Sequence, residues 1–261
     1  MIIDNTALIR QLLVFPPKNN EEMLEDQINE EQRKERQQTG NRLCIDQRDC
    51  FHVVQLLQRQ KDNPMKQYLI NPNFRNHSNR TIQQFQIYSL DDWDMKLPVI
   101  IDLAKYYNCR VYVDLNLKDS KDVYAKLYEN MATRFRTSNY RKLHRLYNEA
   151  VGQTPCMKGT RKTWVVDIDT KDPKFIEEVK GFILTLFGNG KREVEGPHGK
   201  MSHLADVLAE IPTKNGVHLI TTSFQVDAFR KKFRPGTCPV DILTANPTIA
   251  WMETDWGRRG E

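Results

Sequence analysis

The sequence predicts a mixed α/β or α+β domain, a mixed sheet flanked by helices, preceded by a helical or flexible N-terminal segment. Three observations carry this. Segments with helical apolar spacing alternate with short alternating or β-branched apolar runs. The 261 residues are 39% hydrophobic and 28% charged, enough for one large domain or two small ones with a sizeable core. No apolar run approaches the roughly 18 residues of a membrane span, so no membrane partner is expected.

Taken in order, residues 5–14 have the spacing of a short helix, halted at Pro16-Pro17. Residues 19–37 read as a polar helix or a disordered tether, because few apolar side chains recur at helical spacing. Residues 51–60 present a helical apolar face. Residues 67–70 and 81–88 read as strands, and 97–107 as an amphipathic helix. The alternation of Val111, Val113 and Leu115 with Tyr112 and Asp114 predicts a strand over 110–117. Ser120 is placed to cap a helix running to about residue 135. Residues 139–151 read as a further helix and 163–168 as a strand. Asp172-Pro173 starts a helix over 174–187, stopped by Gly188-Asn189-Gly190. Residues 193–200 read as loop and 204–211 as helix or strand. A strand follows over 216–222, a short helix over 226–233, a short strand over 240–243 and an extended tail over 247–251. The chain thus divides into an accessory segment, 1–60, and a main domain, 61–261.

Net charge is +5, which admits a polyanionic partner without requiring one. Its distribution is uneven. Arg134, Arg136, Arg141, Lys142, Arg145, Lys158, Arg161 and Lys162 crowd 134–162 with Glu149 the only acid there, and Arg230, Lys231, Lys232 and Arg234 form a second cluster. The first segment is suited to track a nucleic-acid backbone, with Tyr140, Tyr147 and Trp164 available for stacking; its alternative is a solvated helix face. The five cysteines are scattered without a Cys-x-x-Cys, which argues for reduced thiols over a disulfide framework. Cys44, Cys50 and His52 lie close enough in sequence for a metal site, but no second ligand pair follows. The N-terminus lacks a basic n-region and a small-residue cleavage site, so the expected compartment is the cytoplasm.

The most informative stretch is Trp164-Val165-Val166-Asp167-Ile168-Asp169. In a strand, residues two apart share a face, so Asp167 and Asp169 project together. Two neighbouring carboxylates repel unless a cation sits between them, and Mg²⁺ or Mn²⁺ prefers hard oxygen ligands while leaving positions for phosphate oxygens. The pairing points to metal-assisted phosphoryl or nucleotidyl transfer. Downstream, Thr213-Lys214-Asn215-Gly216 forms a polar turn feeding a hydrophobic strand that carries His218. The turn supplies a cation and exposed N–H groups of the kind a triphosphate needs. A short apolar strand interrupted by Asp241 follows. No Walker loop, Gly-x-Gly-x-x-Gly or Lys-x-Asp-Gly segment is present. His198 and His203 read as surface residues or added ligands.

A carboxylate pair on a strand, then a turn and a histidine-bearing strand, then a single strand carboxylate resembles the archaeo-eukaryotic primase superfamily over roughly residues 100–251. That superfamily includes primase-polymerases and the polymerase domains of bacterial end-joining ligases. The resemblance implies a template-directed nucleotidyltransferase, making 61–261 a primase-polymerase-like catalytic domain. Asp167 and Asp169 match the metal-binding pair, Asp241 the third acid, and His218 the histidine that contacts the incoming triphosphate, with Lys214, Asn215 and Thr213 beside it. Asp227, Glu210 and Glu253 are alternatives to Asp241. The family's serine two residues before the histidine is here Gly216. The implied cofactor is Mg²⁺ or Mn²⁺; the implied partners are nucleoside triphosphates, a DNA or RNA template, and a helicase or other replication protein. Two further readings use the same residues: a non-catalytic nucleotide- or nucleic-acid-binding protein on the same fold, and a metal-dependent nuclease.

Overall fold

The computed structural model describes residues 2–16, 50–59, 79–140, 143–187, 194–196, 199–201, 204–234, 236–244 and 247–253. It is a mixed α/β fold with two antiparallel sheets. The expected strand at 67–70, tether at 19–37 and stop at 188–190 lie outside the described residues, as do His198 and His203.

The larger sheet has strand order β1-β11-β4-β2-β3, where β1 is Ile2–Asp4, β2 Cys50–Arg59, β3 Asn79–Ile87, β4 Arg110–Asp119 and β11 Thr248–Glu253. The helix expected over 51–60 is instead β2, paired on one edge with β3 and on the other with β4. Phe51, Val53, Val54 and Leu56 are all buried, because helices or strands cover both faces of this internal strand. A strand buried on both faces loses its alternation and cannot be told from a buried helix by periodicity. The N-terminus is also built in. Ile3 of β1, with Ile9 and Leu13 of helix α1 (Thr6–Leu12) and its cap, joins the core that holds Trp251 and Met252.

Helix α2 (Leu90–Tyr107) packs Trp93, Ile100 and Ala104 onto Val54, Leu56, Val111 and Val113. It begins a full two turns before the expected start, where the Ser89 hydroxyl accepts from the Asp92 amide at 3.1 Å. Helix α3 (Ser120–Arg136) and helix α4 (Leu146–Gln153) cover part of the opposite face, with Val123, Ala150 and Val151 against Phe51 and Val53. The cap of α3 is Asp119 and not Ser120, since the Asp119 carboxylate accepts from the Lys121 amide at 2.8 Å. The helix expected over 139–151 is shorter, a 3₁₀ turn at Leu143–Arg145 leading into α4.

The smaller sheet has strand order β10-β5-β9-β8, with β5 Thr163–Ile168, β8 Val207–Pro212, β9 Val217–Thr222 and β10 Val240–Leu243. The segment at 204–211, left open between helix and strand, is therefore strand for most of its length. Within the span expected to be loop, β6 (Val194–Gly196) and β7 (Gly199–Met201) form a separate hairpin. Helices α5 (Pro173–Ile183) and α6 (Val226–Lys232) cover one face of the smaller sheet, packing Val179, Ile183 and Phe229 on Trp164, Val166, Ile168 and Leu219. As expected, Asp172 caps α5 and Pro173 opens it. From the other face, Val165, Ile211 and Ile220 join the core of the larger sheet.

Asn116 and Asn5 are among the side chains that tie the sheets together. Asn116 of β4 accepts from the Thr163 amide at 2.8 Å and donates to the Thr163 carbonyl at 3.1 Å, imitating a strand neighbour. Asn5 donates to the carbonyls of Pro212 at 3.0 Å and Ile249 at 3.2 Å. Among the described residues, no helix is long and apolar enough to cross a membrane.

Candidate active site

Strand alternation builds the site. On β5, Trp164, Val166 and Ile168 face the helices, so Val165 and Asp167 face the larger sheet. Neighbouring strands run antiparallel on both sides, and the register sets Asp167 opposite Asp241 on β10 and opposite His218 on β9. Directly opposed residues project to the same face with β-carbons about 5 Å apart. Asp241, Asp167 and His218 therefore form one row across three strands. Of the four candidates for the third acid, Asp241 alone stands in this row. Glu210 pairs with Lys180, and Asp227 lies in the first turn of α6. Asp241 is exposed, its carboxylate accepting from the Ile242 amide at 2.8 Å.

Below the row lies a cleft of about 360 Å³ between the two sheets. Asp167, Asp169, Thr213, Lys214, Asn215 and His218 line one wall. Leu57, Arg59, Arg110, Tyr112, Ile249 and Met252 from the larger sheet line the other. Asp241 stands outside the lining, so the structure brings two of the three expected acids into the cleft. Among the described residues, no group of three or more His, Cys, Asp or Glu side chains is disposed to hold a metal ion. Asp167 and Asp169 nevertheless line the cleft together, the arrangement that a divalent ion completing its shell with substrate oxygens and water would require.

His218 is buried at 8% exposure. Its Nδ1 is 3.0 Å from the Thr248 hydroxyl of β11, and its Nε2 is 3.4 Å from Asp167 Oδ1. The loop between β8 and β9 is closed on itself, with the Thr213 amide donating to the Gly216 carbonyl at 2.9 Å and the Gly216 amide to the Thr213 hydroxyl at 3.1 Å. Lys214 and Asn215 of this turn line the cleft. The Asp169 amide donates to the Pro239 carbonyl at 2.9 Å, which anchors the chain just beyond β5.

Arg59 and Arg110 are cleft residues that strand reading missed. Leu57 of β2 pairs with Arg110 of β4, and alternation puts Arg59, Arg110 and Tyr112 on one face. Which face looks toward Asp167 is decided by the packing of the two sheets, a tertiary fact with no local signal.

None of the eight described basic residues expected to bind nucleic acid lines the cleft. Arg134 pairs with Glu149 at 3.0 Å, and Lys162 lies over the Trp164 ring at 5.9 Å. Lys232 pairs with Glu178 at 3.0 Å and sits over the Phe182 ring at 4.7 Å, so its charge is engaged within the fold. Arg136, Arg145, Arg161, Arg230 and Lys231 are exposed, and Arg141 and Lys142 lie outside the described residues. Trp164 is buried against Phe224, so it is not a stacking surface. His52 is no metal ligand: its two ring nitrogens face the carbonyls of Asp114 at 3.2 Å and Val14 at 3.1 Å. No protein-family model, curated protein or solved structure matches the chain.

Proposed function

We propose that the chain is a template-directed nucleotidyltransferase of the primase-polymerase type, joining nucleoside triphosphates on a DNA or RNA template. What supports this reading most is the row of Asp241, Asp167 and His218 on three adjacent strands, above a cleft that Asp169 and Lys214 also line. Residues far apart in sequence reach this row only if the spacing of the three motifs and the strand order agree.

In this reading Asp167 and Asp169 hold Mg²⁺ or Mn²⁺, and Asp241 stands beside them as the outer acid. The bound ion supplies Lewis-acid polarisation of the α-phosphate and neutralises charge that develops on the leaving pyrophosphate. The rest is work for the chain's own groups. Lys214 and His218 on one wall, with Arg59 and Arg110 on the other, surround a triphosphate with positive charge and donors. Tyr112 offers a ring to the base or sugar. The exposed Arg136 and Arg161 would face a template backbone. A cytoplasmic setting and a helicase or other replication protein as partner belong to the same reading.

A second reading, a nucleotide- or nucleic-acid-binding protein without catalysis, is favoured by one observation. Only two carboxylates line the cleft, with no third donor grouped beside them among the described residues. Calorimetry of the full chain with a nucleoside triphosphate and Mn²⁺ tests what both readings share. Binding that disappears in the Asp167→Asn, Asp169→Asn double variant is expected, and wild-type protein that binds no triphosphate overturns both.

A further inference from the structure

We infer that Thr248 is a positioning residue for His218: its hydroxyl, reaching from the larger sheet, fixes the imidazole so that Nε2–H is presented to anionic oxygens in the cleft. The role in substrate binding rests on the nucleotide-site reading; the orientation itself does not.

Thr248 opens β11, where its backbone pairs with Val113 of β4, and its side chain is fully buried. His218 lies on β9 of the other sheet, and the 3.0 Å contact between Thr248 Oγ1 and Nδ1 crosses the inter-sheet boundary. On the far side of the ring, Nε2 is 3.4 Å from Asp167 Oδ1. A neutral imidazole has one donor and one acceptor nitrogen, a carboxylate only accepts, and a hydroxyl does either. For a neutral ring these three facts allow one arrangement that matches donors to acceptors. The proton resides on Nε2, facing the carboxylate, and the Thr248 hydroxyl donates to Nδ1. Flipping the ring would set C–H groups against both partners and leave a buried hydroxyl unpaired.

Thr248 therefore does for His218 what a carboxylate or carbonyl does for many functional histidines, selecting a tautomer through the nitrogen remote from the substrate. It also makes the imidazole sensitive to how the two sheets sit, since ring and hydroxyl belong to different sheets. At 3.4 Å the Nε2–Asp167 contact is long for a hydrogen bond. That leaves the Nε2 proton available to a phosphate oxygen placed nearer than the carboxylate.

The test uses full-length protein labelled with ¹⁵N at histidine, the His218 signals being assigned with His218→Gln. The expected wild-type spectrum shows a single tautomer, protonated at Nε2 with Nδ1 as a hydrogen-bond acceptor. Thr248→Val keeps the shape but removes the hydroxyl, and is expected to give averaged ring signals and an ATP–Mn²⁺ affinity about tenfold lower. Thr248→Ser restores the hydroxyl and is expected to stay within about threefold of wild type. Protonation at Nδ1 in the wild type overturns the proposal, as does a Thr248→Val protein with wild-type spectrum and affinity. If the valine variant does not fold, the wild-type tautomer decides alone. If wild-type protein binds no triphosphate, the proposed function falls while the imidazole spectrum still judges Thr248.

Discussion

Gly216 backs directly onto the carbonyl of Ile168: a β-carbon at position 216 would stand 1.8 Å from that oxygen and 2.8 Å from both the amide nitrogen and the carbonyl oxygen of Thr170. These are backbone atoms at the end of β5, so no rotamer change relieves the clash. The contact presses the loop that carries Lys214 against the segment that carries Asp167 and Asp169.

Replacing Gly216 with Ala or Ser must displace the loop or the strand end. The expected cost is about 1–3 kcal/mol, as for other overpacked sites. Thermal melts of both variants check this, and a melting temperature equal to wild type would show that the loop yields freely.

Asn116 is expected to matter more than a loop-facing asparagine ordinarily does. Asn116→Ala leaves the Thr163 amide and carbonyl without the partners they have at 2.8 and 3.1 Å. Leaving a buried backbone group unpaired costs about 1–3 kcal/mol, and these two are part-buried, so a loss of about 1 kcal/mol or more is expected. Urea denaturation measures it, and a change within experimental error would mean that water replaces the side chain at no cost.

Much of the smaller sheet was legible in the sequence, because β5 and β10 are short, largely apolar runs, each interrupted by one acid, with one face on a helical layer. The register that aligns Asp241, Asp167 and His218 was not, since it depends on strand pairing between segments more than 40 residues apart. Two other misses have local causes. Strand β2 is buried on both faces and so mimics a helix face in periodicity. Strand β1, Ile2–Asp4, is too short for any pattern and is held in place by pairing with β11. The basic residues of 134–162 read as one patch, but the structure pairs Arg134 with Glu149, sets Lys162 over the Trp164 ring, and exposes Arg136 and Arg161.

The N-terminal residues should behave as part of the core. Ile9 is fully buried among residues of β11 and α2. Ile9→Ala is expected to destabilise the protein by about 2–5 kcal/mol, the range for emptying a packed aliphatic site. Chemical denaturation reads this directly. A change below about 1 kcal/mol would place α1 outside the cooperative unit.

His52 should make stability depend on pH. Burial is the main cause that lowers its pKa, partly opposed by its contacts with the Val14 and Asp114 carbonyls. The unfolded chain, with a histidine near 6.5, then binds more protons than the folded one over the window just below that value. Stability is therefore complete above about pH 6.5 and falls as the pH drops toward the depressed folded value. Comparing urea midpoints of wild type and His52→Gln across pH 5–8 isolates this contribution. Parallel pH profiles for the two proteins would assign the dependence to other groups.

Nucleotide incorporation tests the central claim most directly. Full-length protein is incubated with primed and unprimed single-stranded templates, labelled nucleotides and Mn²⁺ or Mg²⁺, beside the Asp167→Asn, Asp169→Asn variant. The account predicts template-dependent product from the wild type, none from the variant, and a wild-type fold in both by circular dichroism. A folded wild-type protein that binds triphosphate but incorporates nothing on either template with either metal would contradict it.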